Sequence, residues 1–327
     1  MKFTNLMQDQ IEDVISIVKM NYQKARENLP LLSDKYENRE IIKKIITELN
    51  PNHFIVATID GKVVGFITAY YIDEFKGTVR GALSLPHMHG VKVGYDQSKI
   101  YNLLYKEASM RWTNKECYTH CMLVYNGDYD TLNTWFYNGF GLLVIDAVRD
   151  LNCIPLPDIK DDITIRQANP YDVPRMVSLL QGIKRHLKSA PIFLTVDDEE
   201  DSDLIKEYLD WTLKESNNLW IAEQNNQIIG YLKTNTTEIN QDELQDGETL
   251  GINGAYVLPE FRGKHIMSRL INLALLWAKE NGLKRCSTDF ETANLEGRSY
   301  WLKHFKPYSY GLIRRIDERN HLRFKKA

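Results

Sequence analysis

One segment in the last third of the chain carries the residue types that bind phosphate. It runs Tyr256-Val257-Leu258-Pro259-Glu260-Phe261-Arg262-Gly263-Lys264-His265-Ile266-Met267. A predicted strand ends at Pro259, and a helix is predicted to start within Arg262-Gly263-Lys264. The free backbone N–H groups and the positive dipole end of a helix N-terminus suit a pyrophosphate. Gly263 would allow close approach, and Arg262 and Lys264 add positive charge. The alternative is an ordinary surface loop that happens to be rich in basic residues. Short motifs often match by chance, so the composition alone does not decide between the two.

Two other clusters have residue types that can bind metals. His87-Met88-His89 places two imidazoles on one face of a strand, but no third ligand follows at a suitable spacing. The four cysteines, Cys117, Cys121, Cys153 and Cys286, are unevenly spaced and fit neither a disulfide framework nor a zinc site. We therefore predict no metal.

The hydrophobic pattern predicts the strands and helices that surround the segment 256–267. Strands predicted at 55–58 and 63–70 form a hairpin around Asp60-Gly61, and a second hairpin turns at Asn225-Asn226. A helix predicted over 270–277 is apolar nearly all round, which indicates burial. Strands and helices mixed in this order indicate an α/β sheet covered by helices.

The sequence also repeats itself, which determines the domain organisation. Several residue types recur 165 positions apart, namely Trp112 and Trp277, Cys121 and Cys286, Phe140 and Phe305, and Arg149 and Arg314. A common spacing over such distances indicates two copies of one domain. The proline-containing stretch 151–162 separates them. We predict an N-terminal domain over 1–154 and a C-terminal domain over 163–327.

Bulk composition narrows the class of protein. The 327 residues suit two domains of about 150 residues each. Hydrophobic residues make up 43% and charged residues 26%, which is typical of globular proteins. The net charge of −3 gives no reason to expect a nucleic-acid or membrane partner. With no apolar run of about 18 residues and no signal-peptide pattern, we expect a cytoplasmic protein. A homodimer is a possible assembly.

Two motifs together resemble those of the GNAT acetyltransferases. The run Val-x-Pro-Glu-x-Arg-Gly-Lys resembles their acetyl-CoA-binding motif, although His265 and Met267 stand where the family signature has glycine or alanine. The stretch from Asn294 to Phe305 is similar to their second motif, one residue shorter. The resemblance implies an α/β fold of two tandem GNAT-like domains. Each would have a mixed, mostly antiparallel sheet flanked by helices.

The resemblance also implies a function. The C-terminal domain would use acetyl-CoA, without a metal, to acetylate a small-molecule or peptide amine by direct attack on the thioester. The residues that would bind acetyl-CoA are Val257, Leu258, Arg262, Gly263, Lys264, His265, Ile266, Met267 and Asn294. Among them, the backbone amides of Val257 and Leu258 would hold the pantetheine and polarise the thioester carbonyl.

A proton donor and a proton acceptor complete the implied mechanism. Counting from the two ends of the second motif places either Trp301 or Tyr300 at the position of the family's acid. Only Tyr300 can donate a proton to sulfur, so we select it. Asp289 and Glu291, at the end of a predicted strand, are candidate bases that would act through water.

The N-terminal copy departs further from the resemblance. Gln97 matches the first signature position, but Ile100 and Asn102 stand at the glycine positions and Asp96 adds a negative charge. We expect this copy to lack a CoA site and to support or complete the acceptor site of its neighbour. The alternative for the whole chain is a non-catalytic module that senses CoA or binds another protein, which the substitutions at His265 and Met267 favour.

Overall fold

The computed structural model of the chain describes residues 1–237, 239 and 242–319. The chain forms two compact units. The first contains Met1–Ile145 together with the C-terminal segment that begins at Pro307, and the second contains Asp146–Lys306. These bounds assign the last strand of the chain to the first unit, whereas the predicted division 1–154 and 163–327 follows the sequence repeat.

The first unit contains strands of two sheets and four helices. Its strands are β1 (Lys2–Thr4), β2 (Ile55–Ile59), β3 (Lys62–Ile67), β4 (Tyr70–Ile72), β5 (Gly81–Ser84), β6 (His89–Val91) and β7 (Thr119–Tyr125), and β8 (Gly141–Asp150) continues into the second unit. Its helices are α1 (Ile11–Asn28), α2 (Arg39–Glu48), α3 (Gln97–Asn114) and α4 (Tyr129–Tyr137). One sheet has the order β1-β2-β3-β6. In the other, β5 pairs antiparallel with β4 and parallel with β7.

Local sequence explains the first hairpin. Asp60 and Gly61 both have positive φ, at 49° and 78°, as the predicted two-residue turn requires. The antiparallel pairing of β2 with β3 confirms the hairpin. The core behind this sheet contains the fully buried indoles of Trp112 and Trp135.

The second unit contains five adjacent, hydrogen-bonded strands and four helices. Its strands are β9 (Thr164–Gln167), β10 (Asn217–Gln224), β11 (Gln227–Asn235), β12 (Thr249–Val257) and β13 (Arg285–Glu291). Its helices are α5 (Val177–Lys188), α6 (Asp201–Thr212), α7 (Ile266–Glu280) and α8 (Leu295–His304). The strand order is β13-β12-β11-β10-β9, antiparallel except for β12 and β13. The last strand of the chain, β14 (Lys306–Arg315), pairs antiparallel with β7 of the first unit.

Strands β12 and β13 separate part of the way along, which opens the sheet at one end. They pair from Thr249 opposite Arg285 to Ile252 opposite Thr288, and no described residue of β12 beyond Ile252 pairs with β13. A register shift against β11 occurs at Asn253, after which β12 stays paired with β11 to Val257. A bulge bends the strand that contains it, and this bulge lies where β12 diverges from β13. The last residues of β12 therefore have one edge without a neighbouring strand among the described residues.

The predicted fold class is confirmed: both units are mixed α/β. Each begins with a strand, two helices and a hairpin and later has a helix, a strand and a helix, but between them the first unit has the three short strands β4, β5 and β6 where the second has β12 alone. Cys121 lies opposite Leu83 and Cys286 opposite Leu250, so the repeated cysteines occupy equivalent places on β7 and β13. None of the helices in the described part of the chain has both the length and the apolar character needed to cross a bilayer.

Candidate functional site

The segment 256–267, which carries the residue types that bind phosphate, forms a loop that leads into α7. Pro259–Phe261 make one 3-10 turn, Gly263 has φ of +77°, and His265 has φ of +59° immediately before α7 starts at Ile266. His265 therefore adopts the left-handed conformation that favours glycine, at the position where the motif has one. Histidine tolerates this region better than most side chains, so the loop keeps its path despite the substitution.

The N-terminus of α7 has no side-chain cap. His265 is the N-cap residue and makes no side-chain hydrogen bond to the first turn. The first N–H groups of any helix lack an intrahelical acceptor, and those of Ile266, Met267 and Ser268 are of this kind here. A Cβ added at Gly263 would meet nothing within 4 Å, so the backbone there borders open space. The loop and helix end thus present donors and a positive dipole to whatever lies in front of them.

The two cations of the loop lie at different places. Arg262 donates from Nε to the carbonyl oxygen of Val257 at 3.1 Å, and its guanidinium lies 5.4 Å from the centre of the Tyr256 ring. Its Nη1 is 3.8 Å from a carboxylate oxygen of Glu296. Lys264 is exposed, with Nζ 4.9 Å from the ring centre of Phe261. Arg262 is thus held against the end of β12, while Lys264 extends into solvent.

The pairing of β12 decides which backbone amides face its free edge. Leu258 donates its N–H to the carbonyl oxygen of Ile229 on β11 at 3.0 Å. In an antiparallel pair, successive residues direct their N–H groups alternately towards and away from the neighbour. The N–H groups of Val257 and Ala255 therefore point away from β11. The role expected for Val257 is compatible with this geometry, whereas the N–H of Leu258 is already bonded to β11 and that of Ala255 shares the outward direction of Val257.

Tyr300 projects from α8 towards the start of α7. Its hydroxyl lies 2.9 Å from Oγ of Ser268, in the first turn of α7. Burial raises the pKa of Tyr300 to about 12, so the phenol keeps its proton at neutral pH. Trp301, the alternative in the motif, is buried and packs edge-on against Phe305, with ring centres 5.4 Å apart. Of the two, Tyr300 is the one placed to donate a proton.

Asn294 makes two hydrogen bonds at the start of α8. As N-cap residue it accepts from the N–H of Gly297 through Oδ1 at 3.0 Å. The same oxygen lies 3.2 Å from Nε2 of His186 on α5. His186 is a residue that the sequence analysis missed, and its 108-residue distance from Asn294 along the chain explains why.

These groups line one cleft of about 620 Å³ in the second unit. Eight of the twelve predicted site residues border it: Val257, Arg262, Gly263, His265, Ile266, Met267, Asn294 and Tyr300. The stretch 151–162 also contributes, since Ile154 and Pro155 line the cleft. Asn272 of α7 holds this stretch by accepting from the N–H of Ile154 at 2.7 Å and donating to its carbonyl oxygen at 2.8 Å.

The remaining predicted residues lie outside the cleft. Asp289 and Glu291 are half-buried at the end of β13, and neither is among the residues that border it. Leu258 and Lys264 are also absent from the cleft wall. Asp289 and Glu291, which were expected to act through water, thus lie outside the lining, whereas three imidazoles border the cleft, those of His186, His265 and His304.

The first unit has a cleft of about 410 Å³ next to the corresponding loop, but its chemistry differs. Asp96 is the N-cap residue of α3, and its carboxylate accepts from the N–H of Lys99 at 3.0 Å. Gln97 donates to Asp128 at 2.9 Å, so it too is engaged. In α3 a negative charge therefore already occupies the helix N-terminus, whereas the corresponding N-terminus of α7 faces solvent.

The histidine pair considered as a metal site is part of the packing of the first unit. His89 contacts the hydroxyl of Tyr101 at 3.0 Å and the carbonyl oxygen of Leu123 at 2.8 Å, one with each ring nitrogen. His87 stacks on Tyr36 with ring centres 5.1 Å apart. Within the described residues, no group of three or more His, Cys, Asp or Glu side chains is arranged to hold a metal ion.

Comparisons with known proteins agree with this geometry. Residues 181–305 match the family model described as acetyltransferase (GNAT) family, and they lie entirely in the second unit. The family model does not extend to the first unit, so the tandem arrangement rests on the repeat and on the order of elements. No curated protein matches the sequence significantly.

Solved structures resemble the whole chain. A GCN5-related N-acetyltransferase from Sphaerobacter thermophilus has a TM-score of 0.59 and 12% identity, with 96% of this chain and 95% of that chain covered. The glucosamine N-acetyltransferase region of a fungal multi-domain GH3 β-N-acetylglucosaminidase has a TM-score of 0.54 and 16% identity, with 95% of this chain and 38% of that chain covered. At such identities the likeness shows the fold. The match to the GNAT family model is confined to residues 181–305 of the 327.

Proposed function

We propose that the second unit transfers an acetyl group from acetyl-CoA to an amine. One observation carries this proposal: the uncapped N-terminus of α7, the end of β12 and the Tyr300 hydroxyl all border the same cleft. An anion site, outward-facing amides and a proton donor are the three things that the reaction needs from the protein. The match of residues 181–305 to the acetyltransferase family supports the same reading.

The residues present fit acetyl-CoA. The pyrophosphate would lie at the N–H groups of Ile266 to Ser268, where Gly263 leaves open space and Arg262 supplies a positive charge. The cleft volume of about 620 Å³ is within the range of small-molecule sites. Bound there, acetyl-CoA would supply the acetyl group activated as a thioester.

The protein's own groups would assist at two places. The outward N–H groups of Ala255 and Val257 would polarise the thioester carbonyl, a type of contact that is typically worth about 3–4 kcal/mol per donor. Tyr300 would protonate the departing sulfur, and its pKa of about 12 keeps it in the acidic form that this step requires. Ser268 fixes the phenol by its hydrogen bond.

The proposal assigns one CoA site to each chain. In the first unit the Asp96 carboxylate already accepts the N–H group of Lys99, which lies in the first turn of α3. A pyrophosphate there would meet a like charge and would have to displace an existing cap, which is worth about 1 kcal/mol. We infer that the first unit has no second acetyl-transfer centre.

Two measurements test the proposal. Acetyl-CoA titrated into the full chain by calorimetry should bind at one site per chain, and a panel of amines should elicit release of free CoA thiol. Arg262→Glu should weaken CoA binding about tenfold or more, because a charge-assisted hydrogen bond contributes about 1.5–3 kcal/mol. The matched control is Lys99→Glu, which reverses a charge near the start of α3 and should leave the affinity unchanged.

The outcomes separate this proposal from the non-catalytic alternative. Tight binding without turnover for any amine would support a CoA-sensing module. Equal affinity in wild type and Arg262→Glu would remove the proposed placement of the pyrophosphate.

A further inference from the structure

His186 has a hydrogen-bonding environment that fixes which of its nitrogens carries the proton. The Asn294 side chain is oriented by its role as a cap, because only the amide oxygen can accept from the N–H of Gly297. That same oxygen is the atom 3.2 Å from Nε2 of His186. An acceptor opposite Nε2 requires Nε2 to be the donor. Neutral His186 is therefore protonated on Nε2 and carries its lone pair on Nδ1.

The position of His186 over the cleft depends on a close helix-to-strand contact. Gly182 precedes it by one helical turn on the same face of α5. A Cβ at Gly182 would lie 2.8 Å from Cε1 of the Tyr256 ring, so α5 packs directly on this ring and a larger residue at 182 would require the ring or the helix to shift. The His186 and Tyr256 rings are 6.5 Å apart, and both border the cleft.

The described residues give Nδ1 of His186 no protein hydrogen-bond partner. The other titratable side chains of the cleft come from three elements: Tyr256 from β12, Arg262 and His265 from the loop before α7, and Glu296, Tyr300, Lys303 and His304 from α8. Glu296 lies near Arg262, and the His304 ring packs at a tilt against Tyr300 with ring centres 4.7 Å apart. Among these groups, His186 alone combines a fixed tautomer with a lone pair.

We propose that Nδ1 of His186 accepts the proton that a substrate ammonium must lose before it can attack, and that Asn294 holds the imidazole in the tautomer that makes this possible. This inference rests on the proposed acetyl transfer and extends it. It replaces Asp289 and Glu291, which do not border the cleft, as the source of a base. Imidazole is the side chain best suited to exchange a proton near neutral pH.

The proton balance of the reaction closes with the residues of this cleft. His186 takes one proton from the ammonium, which leaves a neutral amine and an imidazolium. The amine nitrogen forms the new C–N bond and the C–S bond breaks. Tyr300 gives its proton to the sulfur and recovers one from the nitrogen, which becomes the amide. His186 then returns its proton to water, so each turnover releases an amide, a thiol and one proton.

The tautomer is testable without turnover. Nitrogen-15 NMR of the labelled full chain should show His186 with its proton on Nε2. Asn294→Ala should shift the populations towards the Nδ1–H form, whereas His53→Gln, in the first unit, should leave the His186 signals unchanged. A His186 signal that reports Nδ1–H in wild type would overturn the inference.

The proton-accepting role is tested by His186→Gln, whose amide nitrogen can still donate to Asn294 while it has no basic lone pair. We expect kcat to fall about 10²–10⁴-fold at neutral pH with CoA affinity unchanged, the usual range for loss of a general base. The deficit should shrink as pH rises, since the amine then loses its proton without help. Free imidazole should restore part of the rate to His186→Gly.

A purely structural role predicts a different pattern. If the hydrogen bond to Asn294 were all that mattered, His186→Gln would keep the wild-type rate and pH profile, and the inference would fail while the proposed acetyl transfer stood. Absence of turnover in wild type for every amine would instead remove the proposed function itself. Gly182→Ala provides a second check, because moving α5 should lower kcat without changing the tautomer.

Discussion

The hydroxyl of Tyr300 provides the most direct test of the site. In Tyr300→Phe the ring stays in place beside Trp301 and His304, and only the group bonded to Ser268 is lost. We expect kcat to fall about 10²–10⁴-fold, the range for loss of a proton donor, with CoA affinity unchanged. The affinity should stay constant because the backbone N–H groups of α7 that are proposed to bind the pyrophosphate are not altered.

The high pKa of this phenol sets the expected pH dependence. With a pKa of about 12, only about one molecule in 10⁵ carries ionised Tyr300 at pH 7. An exposed tyrosine, with a pKa near 10, would lose its proton about two pH units earlier. Since the acidic form of Tyr300 is the active one, the wild-type rate should show no loss from this group as pH rises through 10. An alkaline limb centred near pH 10 would contradict the buried geometry.

A double variant separates chemistry from stability. Tyr300→Phe leaves the buried Ser268 hydroxyl without its partner, which costs about 1–3 kcal/mol of unfolding free energy. Removing both partners, as in Tyr300→Phe with Ser268→Ala, should recover most of that stability but none of the rate. The control is Tyr137→Phe on α4, where the ring is 91% exposed. If the double variant regained wild-type kcat, Tyr300 would be a packing residue and not a proton donor.

Three further predictions concern the rest of the chain. Asp96→Asn should not create a second CoA site, since Asn also caps helices, so the stoichiometry measured by calorimetry should stay at one. Burial lowers the pKa of His120 to about 4 from 6.5, so its contribution to stability is complete above pH 6.5 and is lost as pH falls towards 4. Urea titrations of wild type and His120→Gln should reveal a differential loss of roughly 3 kcal/mol across that window. Asn272→Ala should release the backbone of Ile154, seen as faster amide exchange in 151–162 with α7 still protected.

Local features of the site could be predicted because short sequences encode them. The hairpin turns at Asp60-Gly61 and Asn225-Asn226 have the positive φ values that those residue types favour. The apolar run that follows His265 predicts the presence of α7 after Pro259, but the helix begins at Ile266, later than the predicted start within Arg262-Gly263-Lys264, because Gly263 and His265 have positive φ. Each prediction needed only neighbours within a few positions.

Features that depend on register or on distant packing could not be predicted. Whether Val257 or Leu258 presents its N–H to the cleft depends on a one-residue choice of pairing with β11, and the sequence contains no signal for it. The bond from His186 to Asn294 joins two helices that are distant along the chain. Likewise, no local signal in the sequence gives the point at which β12 and β13 stop pairing, after Ile252 and Thr288.

The two units differ at the residue that immediately precedes α3 in the first and α7 in the second. In the first unit that residue is Asp96, whose side chain satisfies the helix end from within the protein. In the second it is His265, whose left-handed backbone starts the helix without capping it. A cap adds about 1 kcal/mol to stability, so its omission has a cost. A left-handed backbone at a non-glycine residue adds strain to that cost. A ligand that supplies the missing acceptor would recover the capping energy, which is why an uncapped helix start beside an open cleft favours a binding site, whereas a capped one favours a scaffold.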